Sequence, residues 1–253
     1  MQDLDTLPPD RLLDLGGETV LVTGASGNIG GAIATRLAAA GARVILHCHR
    51  NRRFAEALAA KLDAATVVQA DLADAESVDA ALSSHAPTMV VNNAAAQPVT
   101  PLAAMTPSDW REVLTANLDS AFLVTRRAAE TFGERGGAIV NIASIEGLDP
   151  AAGHAHYASS KAGLIMFTRA AALEYGPRGI RVNSVSPGLI DREGLERDWP
   201  EGVARWKRRV PLGRLGTPND VADAVLFLLS PAARWISGAN LVVDGGMSAQ
   251  SKW

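Results

Sequence analysis

The sequence predicts a single α/β domain, with a doubly wound sheet of seven parallel strands and helices on both faces. Short β-branched runs alternate with longer amphipathic stretches, which is the pattern of repeated strand–helix–strand units. The first run ends in a glycine-rich turn, and the 253 residues are 47% hydrophobic, enough for one large core. The predicted strands lie near residues 19–23, 43–47, 66–69, 88–92, 138–143, 180–186 and 240–243.

Composition and charge narrow the class of protein. The net charge of −3 gives no electrostatic basis for binding nucleic acid. No apolar run is long enough to span a membrane, and the first 15 residues contain Pro8, Pro9 and several acids, unlike a signal peptide. The single cysteine, Cys48, allows no internal disulfide and fits a reducing compartment. We therefore expect a cytoplasmic protein, with residues 1–17 as an N-terminal extension and residues 18–253 as one domain.

The glycine-rich turn follows the first predicted strand. Gly24, Gly27 and Gly30 allow a sharp turn and let the backbone approach a pyrophosphate, whose charge is favoured by the N-terminus of the next helix. The literal G-x-G-x-x-G string is absent, so an ordinary strand–helix loop is the alternative interpretation. The turn indicates a dinucleotide site only if other motifs agree with it.

A second group of residues predicts a proton-transfer site. If the apolar pattern from Tyr157 to Tyr175 is a helix, Tyr157 and Lys161 are four residues apart and share one face. An unperturbed tyrosine has a pKa of about 10, so acid–base work near neutral pH requires stabilisation of its phenolate. A cation at roughly 4 Å is worth about 4 kcal/mol at an effective dielectric of about 20, or roughly three pKa units. We expect Lys161 to lower the pKa of Tyr157 in this way.

Together these motifs resemble the short-chain dehydrogenase/reductase family from about residue 19 to residue 246, and in particular its 3-oxoacyl-[acyl-carrier-protein] reductase-like ketoreductases. The resemblance implies a Rossmann-type fold and an oxidoreductase that transfers hydride between a nicotinamide and a ketone or secondary alcohol. The four catalytic positions of the family fall on Asn117, Ser144, Tyr157 and Lys161. The positions implied for cofactor binding are Gly24, Ser26, Gly27, Asn28, Ile29, Gly30, His49, Arg50, Asn51, Asp71, Leu72, Asn93, Ala94, Ala95, Tyr157, Lys161, Pro187, Gly188 and Ile190.

The resemblance also assigns a role to each catalytic residue. Tyr157 donates the proton to the carbonyl oxygen, and Ser144 hydrogen-bonds that oxygen. Lys161 holds the nicotinamide ribose, and Asn117 positions a water that relays protons to Lys161. The segment from about residue 188 to residue 211 corresponds to the family's mobile loop over the substrate.

The second predicted strand indicates the choice of cofactor. An NAD site usually places an acid about 20 residues after the glycine turn, but no acid occurs between Gly30 and Glu56. Basic residues stand there instead, and arginine offers planar charged donors to a 2′-phosphate. The sequence therefore predicts NADP(H), bound foremost by Arg50 and then by His49 and Arg52.

Two positions depart from the family pattern. Asn28 replaces the middle glycine of the turn, and since asparagine accepts positive φ, we expect it to keep the turn and to hydrogen-bond the cofactor. The threonine that usually follows the Pro187-Gly188 motif is missing, and the backbone of Ile190 is expected to bind the carboxamide instead.

The substrate is less well indicated. Gln97, Glu146, Leu148 and His154 are placed at the substrate mouth from their positions alone. No metal is expected, because the histidine pairs at 47/49 and 154/156 lack further ligands at a suitable spacing. A 3-oxoacyl thioester is one candidate substrate, and a pteridine reductase-like activity is the alternative suggested by the His49-Arg50 pair. A non-catalytic NADP(H)-sensing regulator is the alternative from another class.

The resemblance implies a homotetramer with no nucleic-acid or membrane partner. In this family, subunits associate through the long helices that contain Asn117 and Tyr157 and through the last strand. The tail, residues 250–253, is expected either to pack at such an interface or to fray.

Overall fold

The computed structural model describes residues 7–250 and contains one sheet of seven parallel strands in the order β3-β2-β1-β4-β5-β6-β7. The predicted fold class is confirmed, and each predicted strand is present to within one residue at either end. The tail interface proposed for residues 250–253 lies almost wholly outside the described residues. The strands are Thr19–Val22 (β1), Arg43–Cys48 (β2), Thr66–Gln69 (β3), Met89–Asn92 (β4), Gly137–Ile142 (β5), Ile180–Pro187 (β6) and Asn240–Val243 (β7).

Helices connect the strands and cover both faces of the sheet. Three of them begin at a side chain that accepts a hydrogen bond from the first turn, namely Asp74, Thr106 and Thr217. The helices are Asn28–Ala39 (α1), Arg52–Ala59 (α2), Ala75–His85 (α3), Pro107–Leu114 (α4), Ser120–Phe132 (α5), Ala155–Tyr175 (α6), Leu195–Asp198 (α7), Pro200–Arg209 (α8) and Pro218–Leu229 (α9).

The strands are apolar on both faces because the sheet lies between two helical layers. In β1, Val20 and Val22 belong to the core cluster shared with α1 and α9, whereas Leu21 belongs to the cluster shared with α3 and α5. Alternate residues of one strand thus enter two different cores, which explains why its sequence is continuously hydrophobic. Leu15 of the predicted N-terminal extension also packs in the first core, and its N–H donates to the carbonyl of Ala40.

The sequence from Ser108 to Phe132 has a continuous helical pattern, but the helix in the structure is interrupted. A π-helical turn, Thr115–Asp119, separates α4 from α5 and contains the buried Asn117. Such turns insert one extra residue into a helix and often occur at functional sites. Propensity does not predict this turn, because the side-chain contacts of Asn117 are tertiary.

The register of the sheet brings the ends of the four central strands together. Val22 pairs with Val91, Asn92 with Asn141, and Ile142 with Val185. Ligands of open α/β sheets bind outside the carboxyl ends of such strands. The glycine turn, the segment after β4, Ser144 and the Pro187-Gly188 motif therefore share one edge, as expected. No helix in the described part of the chain is both long and apolar enough to cross a membrane.

Candidate active site

The glycine turn is shaped to hold a phosphate group. Gly24 has a φ of +64°, and a Cβ atom on Gly30 would lie only 2.4 Å from the Gly24 carbonyl oxygen. Gly27 is the N-cap of α1 and, among residues 7–250, no side chain caps this helix. The N–H groups of the first turn of α1 are therefore available to an anion, and they fit the pyrophosphate of a dinucleotide.

A buried histidine supports the glycine turn through a hydrogen bond. Nδ1 of His47 accepts a hydrogen bond of 3.1 Å from the N–H of Gly24, so Nε2 carries the proton and donates to the Ala70 carbonyl at 3.1 Å. Burial lowers the pKa of His47, which keeps the imidazole neutral. Sequence reasoning considered this residue only as half of a metal pair. The sequence feature that could have revealed this role is the position of His47 within an apolar strand beside the turn.

Asn28 does not have the positive φ that was expected of it. It is the first residue of α1, and the described non-glycine residues with positive φ are Ala64 and Ala86. The expectation that Asn28 is tolerated because it accepts positive φ is wrong, since a helical N1 position needs no such conformation. Its Nδ2 donates a 2.7 Å hydrogen bond to the backbone carbonyl of Asp191, 163 residues away. Asn28 therefore ties the glycine turn to the segment after β6.

The segment after β4 lies directly beside the turn. Oγ1 of Thr23 accepts hydrogen bonds from the N–H groups of Asn93 and Ala94, at 2.8 and 3.0 Å. Nδ2 of Asn93 donates in return to the Thr23 carbonyl at 2.9 Å. Asn93 and Ala94 are thus held directly against the glycine turn, next to Ala95.

The basic segment predicted to choose the cofactor is exposed at the end of β2. Arg52 is engaged with Glu56 at 2.8 Å, whereas Arg50 makes no ion pair with any described residue. Nε2 of His49 lies 4.0 Å from a carboxylate oxygen of Asp71. Asn51 is the N-cap of α2, and Leu72 is buried beside Asp71. Arg50 is therefore an exposed cation without an ion-pair partner among residues 7–250, whereas Arg52 already pairs with Glu56.

Ser144, Tyr157 and Lys161 come together although they lie on different elements. Ser144 follows β5 and caps the short turn Ile145–Gly147, while Tyr157 and Lys161 lie on α6. A Cβ atom on Gly147 would stand 2.9 Å from the backbone of Lys161, so this turn rests directly on α6. The close approach brings the Ser144 hydroxyl to the Tyr157 phenol.

The acid–base properties of Tyr157 and Lys161 differ from the expectation. The pKa of Tyr157 is raised to about 12, and burial is the largest cause. The nearby Ser144 hydroxyl offsets part of this rise, and the charge of Glu146 adds to it. Nζ of Lys161 donates to the Ile142 carbonyl at 2.7 Å and lies 5.6 Å from the centre of the Tyr157 ring. The prediction that Lys161 lowers the pKa of Tyr157 is wrong in this geometry. Burial also lowers the pKa of Lys161 itself, to about 8.

These values fix the protonation state of the phenol. A tyrosine with a pKa of about 12 keeps its proton at neutral pH. This is the form that can donate a proton to a carbonyl oxygen, while the Ser144 hydroxyl can hydrogen-bond the same oxygen. The arrangement therefore suits reduction of a carbonyl group.

Asn117 is buried and makes three hydrogen bonds. Its Oδ1 accepts from the Ala96 N–H at 2.7 Å, and its Nδ2 donates to the Ala96 carbonyl and the Ser160 hydroxyl at 2.9 and 3.0 Å. Ser160 donates in turn to the carbonyl of Tyr157 at 2.7 Å. The side chain thus connects the segment after β4 to α6 beside Tyr157.

The segment after β6 closes the other side of the cleft. A parallel bridge joins Ile190 to Gly216 through the backbone of residues 189 and 191, which leaves the N–H and C=O of Ile190 on the opposite side. A Cβ atom on Gly188 would lie 2.9 Å from the ring of Trp206 on α8. Within residues 7–250 these two groups of Ile190 make no backbone hydrogen bond, and the predicted substrate loop contains α7 and α8.

Polar side chains line the predicted substrate mouth. Nε2 of Gln97 donates to Oε1 of Glu146 at 3.0 Å, and Nδ1 of His154 donates to Oε2 of the same carboxylate at 2.8 Å. Leu148 is half exposed on the same turn. Among residues 7–250, no three His, Cys, Asp or Glu side chains are grouped so that they could hold a metal ion.

Comparisons with known proteins agree with this geometry. The family model described as enoyl-(acyl carrier protein) reductase matches residues 24–248. The 3β-hydroxysteroid dehydrogenase 1 of Eggerthella lenta is 37% identical, over 93% of this chain and 95% of that protein. The 3-oxoacyl-[acyl-carrier-protein] reductase FabG of Aquifex aeolicus is 38% identical, over 93% of this chain and 99% of that protein.

A solved structure gives the same result for the fold. It is a candidate 2-deoxy-D-gluconate 3-dehydrogenase from Agrobacterium tumefaciens with bound NADP, 33% identical, with a TM-score of 0.88 over 94% of this chain and 99% of that one. Relatives of this identity and coverage establish the family to which the chain belongs. The chain belongs to the short-chain dehydrogenase/reductase family.

Proposed function

We propose that this protein is an NADP(H)-dependent oxidoreductase that transfers hydride reversibly between the nicotinamide and a ketone or secondary alcohol. The observation that carries the proposal is the meeting of Ser144 and a buried, protonated Tyr157 at the same sheet edge as the glycine turn. When bound, NADPH supplies the hydride that adds to the carbonyl carbon. Tyr157 gives its proton to the carbonyl oxygen, and Ser144 orients that oxygen.

The residues around the cleft support a dinucleotide with a 2′-phosphate. The open N-terminus of α1 suits the pyrophosphate, and the exposed Arg50 and His49 suit the additional phosphate. Lys161 lies beside the Tyr157 ring and is assigned to the nicotinamide ribose, and Ile190 is assigned to the carboxamide. We assign Asp71 and Leu72 to the adenine. The structurally similar dehydrogenase with bound NADP is consistent with this cofactor.

Kinship leaves the substrate open. The relatives named above are a steroid dehydrogenase, an acyl-carrier-protein reductase and a candidate sugar-acid dehydrogenase. A 3-oxoacyl thioester, a dihydropteridine and regulation without turnover all remain candidate uses of the same site. Their chemistries differ enough for one assay to separate them.

The test is absorbance-monitored oxidation of NADPH and NADH by purified protein against ketones, acetoacetyl thioesters, hydroxyketones and dihydropteridines. We expect NADPH to support turnover of at least one carbonyl class and NADH to support it poorly. Equal use of both cofactors would contradict the role of Arg50. Tight NADPH binding with no turnover of any carbonyl compound would favour the regulator.

We further propose a homotetramer. Apolar side chains are exposed on the long helices expected at the subunit interfaces, with Phe122 on α5 and Met166 and Leu173 on α6, and these three are 44%, 60% and 80% exposed. Exposed apolar groups that line up on such helices commonly mark association surfaces. Sedimentation equilibrium is expected to give four times the monomer mass, and a stable monomer at micromolar concentration would contradict the assignment.

A further inference from the structure

A polar network adjoins the predicted reaction centre and is not used by proton or hydride transfer. The carboxylate of Glu146 accepts hydrogen bonds from Gln97 at 3.0 Å and from His154 at 2.8 Å. The backbone N–H of Glu146 donates to Oγ of Ser144 at 3.1 Å, and the rings of His154 and Tyr157 meet edge to face with their centres 6.0 Å apart. The network is therefore in direct contact with both residues that would bind the carbonyl oxygen.

The network is held in place by the backbone. The N–H of Thr100 donates to the carbonyl of Gly153 at 2.8 Å, and a Cβ atom on Gly153 would lie 3.0 Å from Val99. This contact joins the loop that carries Gln97 to the loop that carries His154. The polar groups are thus positioned by packed backbone and do not depend on a flexible surface.

The chemistry of the network leaves acceptors without donors. A carboxylate only accepts hydrogen bonds, so Nδ1 of His154 carries the proton that faces Glu146, and Nε2 of the neutral ring is an acceptor. This Nε2 is buried and has no hydrogen-bond partner among residues 7–250. Glu146 has lone pairs beyond the two that its neighbours occupy, and its side chain remains 17% exposed. A ligand that complements this surface must bring hydrogen-bond donors.

We propose that Gln97, Glu146 and His154 form a subsite for a substrate hydroxyl group next to the reacting carbon. The substrate class is then an uncharged α-hydroxy ketone, and the product is the corresponding vicinal diol. This inference rests on the proposed function: the C=O π bond breaks, the carbon receives the hydride that bound NADPH supplies, and the oxygen receives the Tyr157 proton. The ketone is reduced and NADPH is oxidised to NADP⁺.

Charge and polarity both favour this class over a keto acid or a simple ketone. An anionic group beside the reacting carbon would meet the carboxylate of Glu146. A simple ketone would bury these acceptors without donating a hydrogen bond to them. The kcat/KM for such a ketone is then lower by about 5- to 150-fold. The subsite therefore favours ketones that carry this hydroxyl group over ketones that lack it.

The test compares substrates that differ only in that hydroxyl group. NADPH-dependent reduction of acetoin (3-hydroxybutan-2-one) is measured against butan-2-one, with acetoacetate as the anionic analogue and 3-aminobutan-2-one as the cationic one. We expect acetoin to exceed butan-2-one in kcat/KM by about 5- to 150-fold. Equal values, or a preference for the anionic or cationic analogue, would overturn the hydroxyl subsite.

Variants assign the preference to the network. Glu146→Gln and His154→Phe are expected to remove most of the acetoin preference, measured within each variant as the ratio of kcat/KM for acetoin to kcat/KM for butan-2-one. Glu174→Gln makes the same chemical change at an exposed position of α6 and is expected to keep the preference. An unchanged acetoin-to-butan-2-one ratio in both network variants would refute the assignment.

A binding measurement separates this inference from the proposed function. Butane-2,3-diol is titrated calorimetrically into the NADPH-saturated protein, with butan-2-ol as the control ligand. Tighter binding of the diol, lost in Glu146→Gln, supports the subsite even if no ketone is turned over. Equal binding of the two alcohols overturns it, and the reductase function then stands or falls on the cofactor assay alone.

Discussion

Replacing Asn28 with glycine restores the residue that related glycine turns usually carry, and it removes the contact between the turn and the segment after β6. The deleted interaction is the 2.7 Å hydrogen bond from Nδ2 of Asn28 to the carbonyl of Asp191. Because Asn28 is exposed, we use the ordinary net value of about 0.5–1.5 kcal/mol for one hydrogen bond, equivalent to about 2- to 12-fold in an equilibrium constant. We expect residues 189–194 to open more often by this factor.

The assay has two parts, since the contact bridges a loop and a cofactor site. Hydrogen exchange of the amides of residues 189–194 is expected to accelerate by about 2- to 12-fold, and stopped-flow release of NADPH to accelerate by a similar factor. Asp191→Ala is the matched control, because the bond uses the backbone carbonyl of residue 191 and survives the loss of its side chain. The reasoning is refuted if Asn28→Gly changes neither the exchange nor the release.

Two further predictions concern the cofactor cleft. Burial places the pKa of His47 below the ordinary value of about 6.5, so below that pH the unfolded chain binds more protons than the folded one. The free energy of unfolding should therefore fall as pH drops below about 6.5, and urea titrations should show a smaller fall for His47→Gln; parallel pH profiles would contradict this. Arg50→Glu should weaken NADPH binding about tenfold or more relative to NADH, because it removes a charged hydrogen bond and adds repulsion. Arg53→Glu, measured by the same fluorescence titration, should have a smaller effect, and the opposite ranking would contradict the assignment.

The sheet could be predicted from the sequence because its signal is local. Strands buried on both faces require β-branched runs, and the crossover helices between them require a different period. Val20 to Val22 therefore identify β1 without knowledge of its neighbours. The glycine turn and the pairing of Tyr157 with Lys161 on one helical face are equally local, and both are present in the structure.

What the sequence could not provide depends on contacts between distant residues. The bond from Asn28 to Asp191 spans 163 positions, and the use of His47 as a support for Gly24 depends on the pairing of β1 with β2. The π-turn at Asn117 likewise reflects tertiary hydrogen bonds to Ala96 and Ser160. No local pattern encodes these partners.

The pKa of Tyr157 shows a second limit on what can be predicted from the sequence. Sequence spacing places Lys161 on the same face as Tyr157, and an assumed separation of about 4 Å then predicts a large fall in pKa. The structure directs the ammonium group to the Ile142 carbonyl and over the ring face, while burial raises the pKa of Tyr157 to about 12. Spacing along a helix determines which side chains are neighbours, but desolvation and the exact direction of each polar group decide the sign of the shift.

The central claim is that Tyr157 is the proton donor in an NADPH-dependent carbonyl reduction. Its most direct test is a comparison of the wild-type protein with Tyr157→Phe, which keeps the buried ring beside Lys161 and removes only the hydroxyl group. For the carbonyl compound that is reduced fastest, we predict a loss in kcat of about 10²- to 10⁴-fold, with the Kd for NADPH changed less than about threefold. A variant that reduces the same compound at a rate close to that of the wild type would contradict the account.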